Sequence, residues 1–468
     1  MQVRLGIDIA CRAAHQASLA GERGEFIWSG RRFHTTVADL ERLWAWLPVG
    51  TEGCDVTVVM EPTRNAWVPL AAWFRRHGAR VVMVPPEQSS DLRAYVSKHT
   101  KSDRLDSRIL ARLPLFHPDG LRVEHGLGPA DTLRRVVKIR STLVKRRTTS
   151  MARLDALLEI LGPGWFAAFR SDLGTKTPLR FLAAGYADPH AVRRLGRARL
   201  ARFLYRHSRG AWGDEEAAAL LAAAEETLAI WDEELEYVDL AEDIALEARL
   251  ALQVTDEIHE LDERIRVLMA KLDPQGIITS APGVALINGA AILGRLGDPR
   301  RFQSLAGVRS YSGLVPSLDS SGLSARQGGP TKRGDATLRE ALYMAAQHAR
   351  RTDPTLGARY HRLMVESGKH HNSALCNIAA TLLTRIVACW RRGEPYIIRN
   401  LNGEPISVEE GRQIVAASFL IPDEIRQRRR TLTAARNLKL GTGRRSQESL
   451  RAPSSARPIA NATPLLRA

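Results

Sequence analysis

The sequence predicts a chain in three parts: a mixed α/β domain first, a long helical region next, and a mainly α domain towards the C-terminus. Three observations lead there. In the first 120 residues apolar positions recur at strand spacing and are interrupted by helical stretches. Residues 130–160 and about 214–272 carry long helical periods of opposite charge. From Asp273 the texture shifts to Gly- and Pro-broken segments before helical periods return.

In "VRLGIDIA", Val3, Leu5, Ile7 and Ile9 alternate with Gly6, Asp8 and Ala10, the period of a strand with one apolar face. "HQASLAGERGEFIWSGRRF" reads as two further strands around a Gly-Glu-Arg-Gly turn. A helix over "VADLERLWAWL", a strand in "DVTVVMEPT", a helix across "WVPLAAWFRRHG" and a strand in "ARVVMVPPE" follow. One more helix is expected over "KHTKSDRLDSRILARL". Three strands, then helix, strand, helix, strand, helix is the order of an RNase H-like fold. Residues 130–160 and 214–272 predict two long helices, one basic and one acidic, able to pair as an antiparallel coiled coil. The stretch 161–213 between them reads as an inserted helical module. "IITSAPGVALINGAAILGRLGD" predicts a Pro-Gly-Val turn between helices, in the manner of a helix-hairpin-helix element. A helix is also expected through "NSALCNIAATLLTRIVACW". The resulting division is 1–125, 126–272 with the insert 161–213, 273–400, and an extension 401–468 ending in a basic tail.

The net charge of +17 is concentrated. Residues 428–468 carry nine Arg and one Lys against a single Glu, so more than half of the excess lies in a Ser-, Ala- and Pro-rich tail without helical period. That tail reads as disordered and polyanion-binding. A second cluster runs from Arg134 to Arg153, eight Lys and Arg with no acid, along one expected helix. Such unmixed charge is the footprint of a nucleic-acid partner. No run approaches the roughly 18 apolar residues of a membrane span. The four scattered cysteines suit reduced thiols in a cytosol.

Asp103 and Asp106 raise the sharpest question. They stand one helical turn apart, where like charges cost a few tenths of a kcal/mol. None of their i±3 or i±4 neighbours is Lys or Arg, and Arg104, Arg108 and Arg112 form a separate row. Ile109, Leu110 and Leu113 share the acids' side of the helix, so the pair needs a cation from elsewhere. In an RNase H-like sheet the first and fourth strands are neighbours. Asp8 and Glu61 then share one site, and the last helix lays Asp103 and Asp106 across it. Four carboxylates that close call for divalent metal, and hard oxygen donors suit Mg²⁺, with Mn²⁺ as an alternative. Asp106 is the expected direct ligand, with Asp103 next, and the arginine row is expected to be free for nucleic acid. The first phosphate loop of sugar kinases also resembles "LGIDIA", but the second aspartate-glycine loop and Gly-rich adenosine segment of those enzymes are missing from the sequence.

"GIDIA", "VVMEPT" and "KSDRLDSRILA" resemble the Asp-Glu-Asp-Asp motifs of transposases of insertion-sequence family 110. "SAPGV", "FQSLAGVRSYSGLVPSLDSSG" and "TKRGDATLREALYMAA" resemble the C-terminal domain of the same family. The resemblance implies a DNA recombinase that joins a metal-binding carboxylate site to a serine nucleophile. The matching serine is Ser321, with Ser320 and Ser324 as competitors in the same Ser-rich loop. Lys332 and Arg333 are candidates to hold a phosphate, and Asp335 reads as a helix N-cap. The resemblance further implies a bridge RNA that pairs with donor and target DNA. It also implies dimers joining into tetramers, and the cysteines and apolar runs lead one to expect them in the cytoplasm with no membrane. Arg134, Arg135, Lys138, Arg140, Lys145, Arg146 and Arg147 would serve the nucleic acid. The alternatives are a metal-dependent junction or strand nuclease without a covalent intermediate, and an inactive nucleic-acid-binding relative.

Overall fold

The computed structural model describes residues 1–427 except 97–101, 117, 119–121, 125, 171, 233, 322–323, 332–333 and 426, and leaves out the side chains of 122 and 317–330. The chain divides into two units, Met1–Gly128 and Pro129 onward.

In the first unit six strands form one sheet in the order β3-β2-β1-β4-β5-β6. They are β1 (Val3–Asp8), β2 (His15–Ala20), β3 (Phe26–Phe33), β4 (Val56–Met60), β5 (Arg80–Met83) and β6 (Arg122–Val123). β4 runs parallel to β1 and β5 to β4, while β2, β3 and β6 pair antiparallel. Alternation along the strands makes two faces. Val3, Leu5, Ile7, Val56, Val58 and Met60 turn to one side and build the larger core. Leu40 and Leu43 of α1 (Val37–Ala45) and Leu70 and Phe74 of α2 (Trp67–Arg76) close it. On the other side Val59 and Val84 meet Leu110 and Leu113.

After β5 the structure has two helices where one was expected: α3 (Pro86–Val96) and α4 (Asp103–Phe116). α3 starts with Pro in the first turn, where the missing amide costs nothing. It escaped the sequence because Ser89 is its one buried residue, so no apolar period marks it. β6, two residues long, is too short to leave a pattern.

The second unit is built on α5 (Ala130–Leu161) and α10 (Tyr237–Leu272). Arg140 pairs with Asp262, Arg147 donates to Thr255 Oγ1 at 2.8 Å, and Arg153 pairs with Glu247 at 3.2 Å. The numbers rise along one helix as they fall along the other, so the two are antiparallel. The acidic 214–272 stretch is not one helix. α9 (Asp214–Trp231) stops at Asp232, whose φ is +49°, and α10 begins at Tyr237. The Tyr237 hydroxyl donates to the Asp232 carbonyl at 3.0 Å and fixes the break. No Gly or Pro announces it. Residues 161–213 hold α6 (Gly164–Ala168), α7 (Lys176–Ala183) and α8 (Pro189–Ser208). Trp165, Phe169, Phe181, Leu200 and Leu204 pack there with Leu220 of α9 in a separate core.

Beyond α10 come α11 (Leu286–Leu296), α12 (Leu305–Ser312) and the hairpin β7 (Pro316–Ser321) and β8 (Ser324–Pro330). Then follow α13 (Ala336–Thr352), α14 (Pro354–Val365), α15 (His371–Arg392) and α16 (Val408–Ser418). The helix expected before the Pro-Gly-Val turn is instead a run of turns. Asp273 takes up the amides of Ile277 and Ile278 at 2.7 and 2.9 Å and holds them in that form. Gly283, at φ +77°, lies so close to α13 that a Cβ would sit 2.3 Å from the Ala345 carbonyl oxygen. Contrary to the expectation that no run approaches a membrane span, α15 is long and apolar enough to cross one by length and composition. Its Leu375, Ile378, Leu382, Leu383 and Ile386 are buried in the protein core. Asp353, 1% exposed, caps α14 and also accepts from Arg385 and the Tyr396 hydroxyl. The chain past 400 is not all extension: Ile421 belongs to this core, and Gly411 of α16 sits against the Thr352 carbonyl.

Candidate active site

Asp8 is the last residue of β1, and Glu61 follows the last residue of β4. The parallel register pairs Ile7 with Met60, so the two acids end neighbouring strands side by side. By alternation both lie on the face that carries Gly6 and Val59, which is the face covered by α4. The helix comes down hard on Gly6: a Cβ there would lie 2.2 Å from the Ser107 carbonyl oxygen and 2.3 Å from the Ala111 nitrogen. Ser107 Oγ meets Ser18 Oγ at 2.8 Å in the buried layer. Near the C-terminus of α4, Arg112 donates to the Gly24 carbonyl at 2.8 Å, at the opposite end of the sheet from Asp8. α4 therefore runs antiparallel to β1. From the Ser107–Gly6 contact, one helical turn back to Asp103 covers about 6 Å, and two strand residues on to Asp8 cover about 6.6 Å. The backbone thus brings Asp103 over the strand ends that bear Asp8 and Glu61.

Asp103 and Asp106 both occupy the first turn of α4. Ser102 caps it, its Oγ accepting from the Leu105 amide at 3.3 Å. The partial positive charge of a helix N-terminus favours carboxylates there, which offsets the like-charge cost of the pair. Asp103 is exposed; Asp8, Glu61 and Asp106 are half-buried.

The cation missing from the sequence reading comes in part from the protein. Arg93 of α3 donates through Nη1 to both oxygens of Asp106, at 2.9 and 3.0 Å. The two side chains are 24% and 14% exposed, so this is no loose surface pair. One turn earlier on α3, the buried Ser89 hydroxyl donates to Glu61. Neither Ser89 nor Arg93 was singled out from the sequence; their i,i+4 spacing in "SSDLR" was the available signal. Among the described residues no three His, Cys, Asp or Glu side chains converge as a ligand set. The donor chemistry and backbone placement fit a hard divalent cation, while the side chains, as held by Ser89 and Arg93, do not close around one.

The arginine row on α4 does not stand clear of the protein. Arg104 donates to Ser29 Oγ at 3.3 Å, and the guanidinium groups of Arg108 and Arg112 lie 4.4 and 4.3 Å from the Phe26 ring centre. The row serves to hold α4 on the β2–β3 hairpin. The basic helix α5 divides similarly. Arg140 and Arg147 turn inward to α10, and Arg147 also donates to the Gly174 carbonyl at 2.7 Å. Arg134, Arg135, Lys138, Lys145 and Arg146 are exposed, and Arg134 lies 3.8 Å from Asp131.

Ser321 ends β7 and Ser324 begins β8, paired across the hairpin, and Ser320 pairs with Ala325. Their side chains, and Lys332 and Arg333 entirely, lie outside the described residues. Asp335 is the N-cap of α13, accepting from the Leu338 amide at 2.9 Å, and it also pairs with Arg295 at 3.3 Å.

Comparison with known proteins finds transposases and insertion-element proteins. Residues 5–163 match a transposase family model, and residues 275–361 match that of the transposase IS116/IS110/IS902 family. The 44.8 kDa protein of insertion element IS116 from Streptomyces clavuligerus is 27% identical, over 81% of this chain and 92% of its own length. The 42 kDa protein of insertion element IS900 from Mycobacterium paratuberculosis is 27% identical, over 84% of this chain and 96% of its own. The transposase of insertion sequence element IS1328 from Yersinia enterocolitica is 25% identical over 28% of this chain and 40% of its own. With the two family matches following one another along the chain, it is a member of the IS110 family of transposases, enzymes that cut and rejoin DNA.

Proposed function

We propose that this transposase moves its own element by a serine-based exchange of DNA strands, supported by Mg²⁺ at Asp8, Glu61, Asp103 and Asp106 and directed by a bridge RNA. The observation that carries the reading is the register of Asp8 beside Glu61 on the parallel strands β1 and β4 of the mixed sheet, beneath the first turn of α4. Bound there, Mg²⁺ or Mn²⁺ would polarise a phosphodiester and stabilise negative charge on its oxygens. The protein supplies the nucleophile. Ser321 Oγ attacks phosphorus and its proton passes to the departing deoxyribose oxygen. The bond energy is kept as a phosphoserine ester, so a second strand's hydroxyl can rejoin the DNA without ATP. Lys332 and Arg333 stand eleven and twelve residues on and are the cations proposed to hold that phosphate.

The exposed cations of α5 track the backbone of nucleic acid, while pairing to the RNA reads sequence. The α5–α10 pair is proposed as a coiled-coil dimerisation element, with the carboxylate unit of one subunit serving the serine of another in a tetramer acting in the cytoplasm. The test is Ser321→Ala, with Ser320→Ala and Ser324→Ala beside it. Loss of the denaturant-resistant protein–DNA adduct and of strand exchange only in Ser321→Ala is the expected result. Full exchange by that variant refutes the serine reading, and strand cutting without any adduct in the wild type points to a plain metal-dependent nuclease.

A further inference from the structure

We infer that α3 gates the carboxylate site, with Arg93 as an internal cation that competes with divalent metal for Asp106. The inference rests on the metal-site reading above. Ser89 and Arg93 lie four residues apart and so share one face of α3. From that face they reach two of the four acids on two different elements: Glu61 at the end of β4, and Asp106 on α4. A single guanidinium nitrogen bridges both oxygens of Asp106, the edge a metal would use. Arginine stays protonated at every working pH, so deprotonation never lifts the competition. Metal entry must displace it.

α3 is built to be displaced. Ser89 is its one buried residue, and Leu92 packs only half-buried on the small second core. An element with so little buried apolar surface opens at low cost compared with the sheet beneath it. With Arg93 seated, Asp106 is neutralised and the acids do not converge. With Arg93 withdrawn, Asp106 loses its partner cation beside Asp103, and an incoming divalent cation can take that place. The protein therefore holds the site in a metal-poor form until something moves α3.

The experiment measures Mn²⁺ binding by electron paramagnetic resonance on the full-length chain without nucleic acid, comparing wild type with Arg93→Gln, Arg93→Lys, Ser89→Ala and Asp106→Asn. Arg93→Gln should bind Mn²⁺ about tenfold more tightly, equivalent to about 1.4 kcal/mol. Arg93→Lys, which keeps the charge, should stay near wild type. Ser89→Ala loosens α3 from its other contact and should raise affinity without touching the arginine, which covers the case of a poorly folded Arg93→Gln. In an Asp106→Asn background the Arg93→Gln gain should vanish, as a double-mutant cycle requires. Equal or weaker binding by both Arg93→Gln and Ser89→Ala overturns the gate. Wild-type binding by Asp106→Asn instead overturns the reading of Asp106 as a metal ligand, so the two failures are distinguishable.

Discussion

Replacing Gly6 by Ala tests the placement of the carboxylates without touching one. Gly6 has no left-handed backbone requirement, so only space objects to a side chain. A glycine-to-alanine change in a strand ordinarily stabilises by about 0.4–1 kcal/mol, through a less mobile unfolded chain. Here the new methyl group would lie 2.2 Å from the Ser107 carbonyl oxygen and 2.3 Å from the Ala111 nitrogen, both backbone atoms of α4 that cannot rotate away. The helix must lift by about 1 Å, and overpacking of this kind costs roughly 1–3 kcal/mol. The net destabilisation is about 1–2 kcal/mol, or about 4–8 °C in Tm for a unit of this size. The lift also carries Asp103 and Asp106 away from Asp8 and Glu61. A displacement of about 1 Å at reacting groups costs on the order of 100-fold in rate, so activity should fall further than stability. The assay pairs thermal unfolding with strand exchange on a donor–target substrate. Gly128→Ala is the control, since its Cβ would meet nothing within 4 Å. A Gly6→Ala protein that melts at or above wild type and exchanges strands normally would refute the packing of α4 on β1 described above.

Three further outcomes are expected. Lys138→Glu, Lys145→Glu and Arg146→Glu, on the exposed face of α5, should weaken nucleic-acid binding and lower the slope of log affinity against log salt by about one per site. Arg140→Gln should instead lower the melting temperature, because it breaks the α5–α10 pair; an unaltered salt slope in the first set would remove α5 from the interface. His371, half-buried between Tyr360 and Gln347, has its pKa held below 6.5, chiefly by burial and further by Arg350 and His370. Because the folded value lies below the unfolded one, its contribution is complete above pH 6.5 and is lost on acidification below it. His371→Gln should flatten that part of the stability profile, and an unchanged slope would show that His371 titrates normally.

Why the row of arginines misled is instructive. Arg104, Arg108 and Arg112 look solvent-facing because their i,i+4 spacing gives them a face of their own, yet that face lies against a β-hairpin bearing Ser29 and Phe26. Periodicity states which residues share a side of a helix; it does not state what the side meets. Arg140 and Arg147 show the same limit, since one basic helix holds cations both for its partner helix and for solvent.

Strand alternation in "VRLGIDIA" and "VTVVM", the helical period of "RLDSRILARL" and the charge of 130–160 were legible from the sequence alone because each is a local pattern. From them came the order of elements along the first unit, apart from α3 and β6, and the choice of Asp8, Glu61, Asp103 and Asp106. The position of α3 was not legible: a helix that buries a single serine leaves no apolar period, and its purpose lies in contacts with Glu61, 28 residues earlier, and Asp106, 13 residues later. Only the tertiary structure decided that the cation facing Asp106 is Arg93, because such pairing depends on how two helices meet on a sheet, and no local rule encodes that meeting.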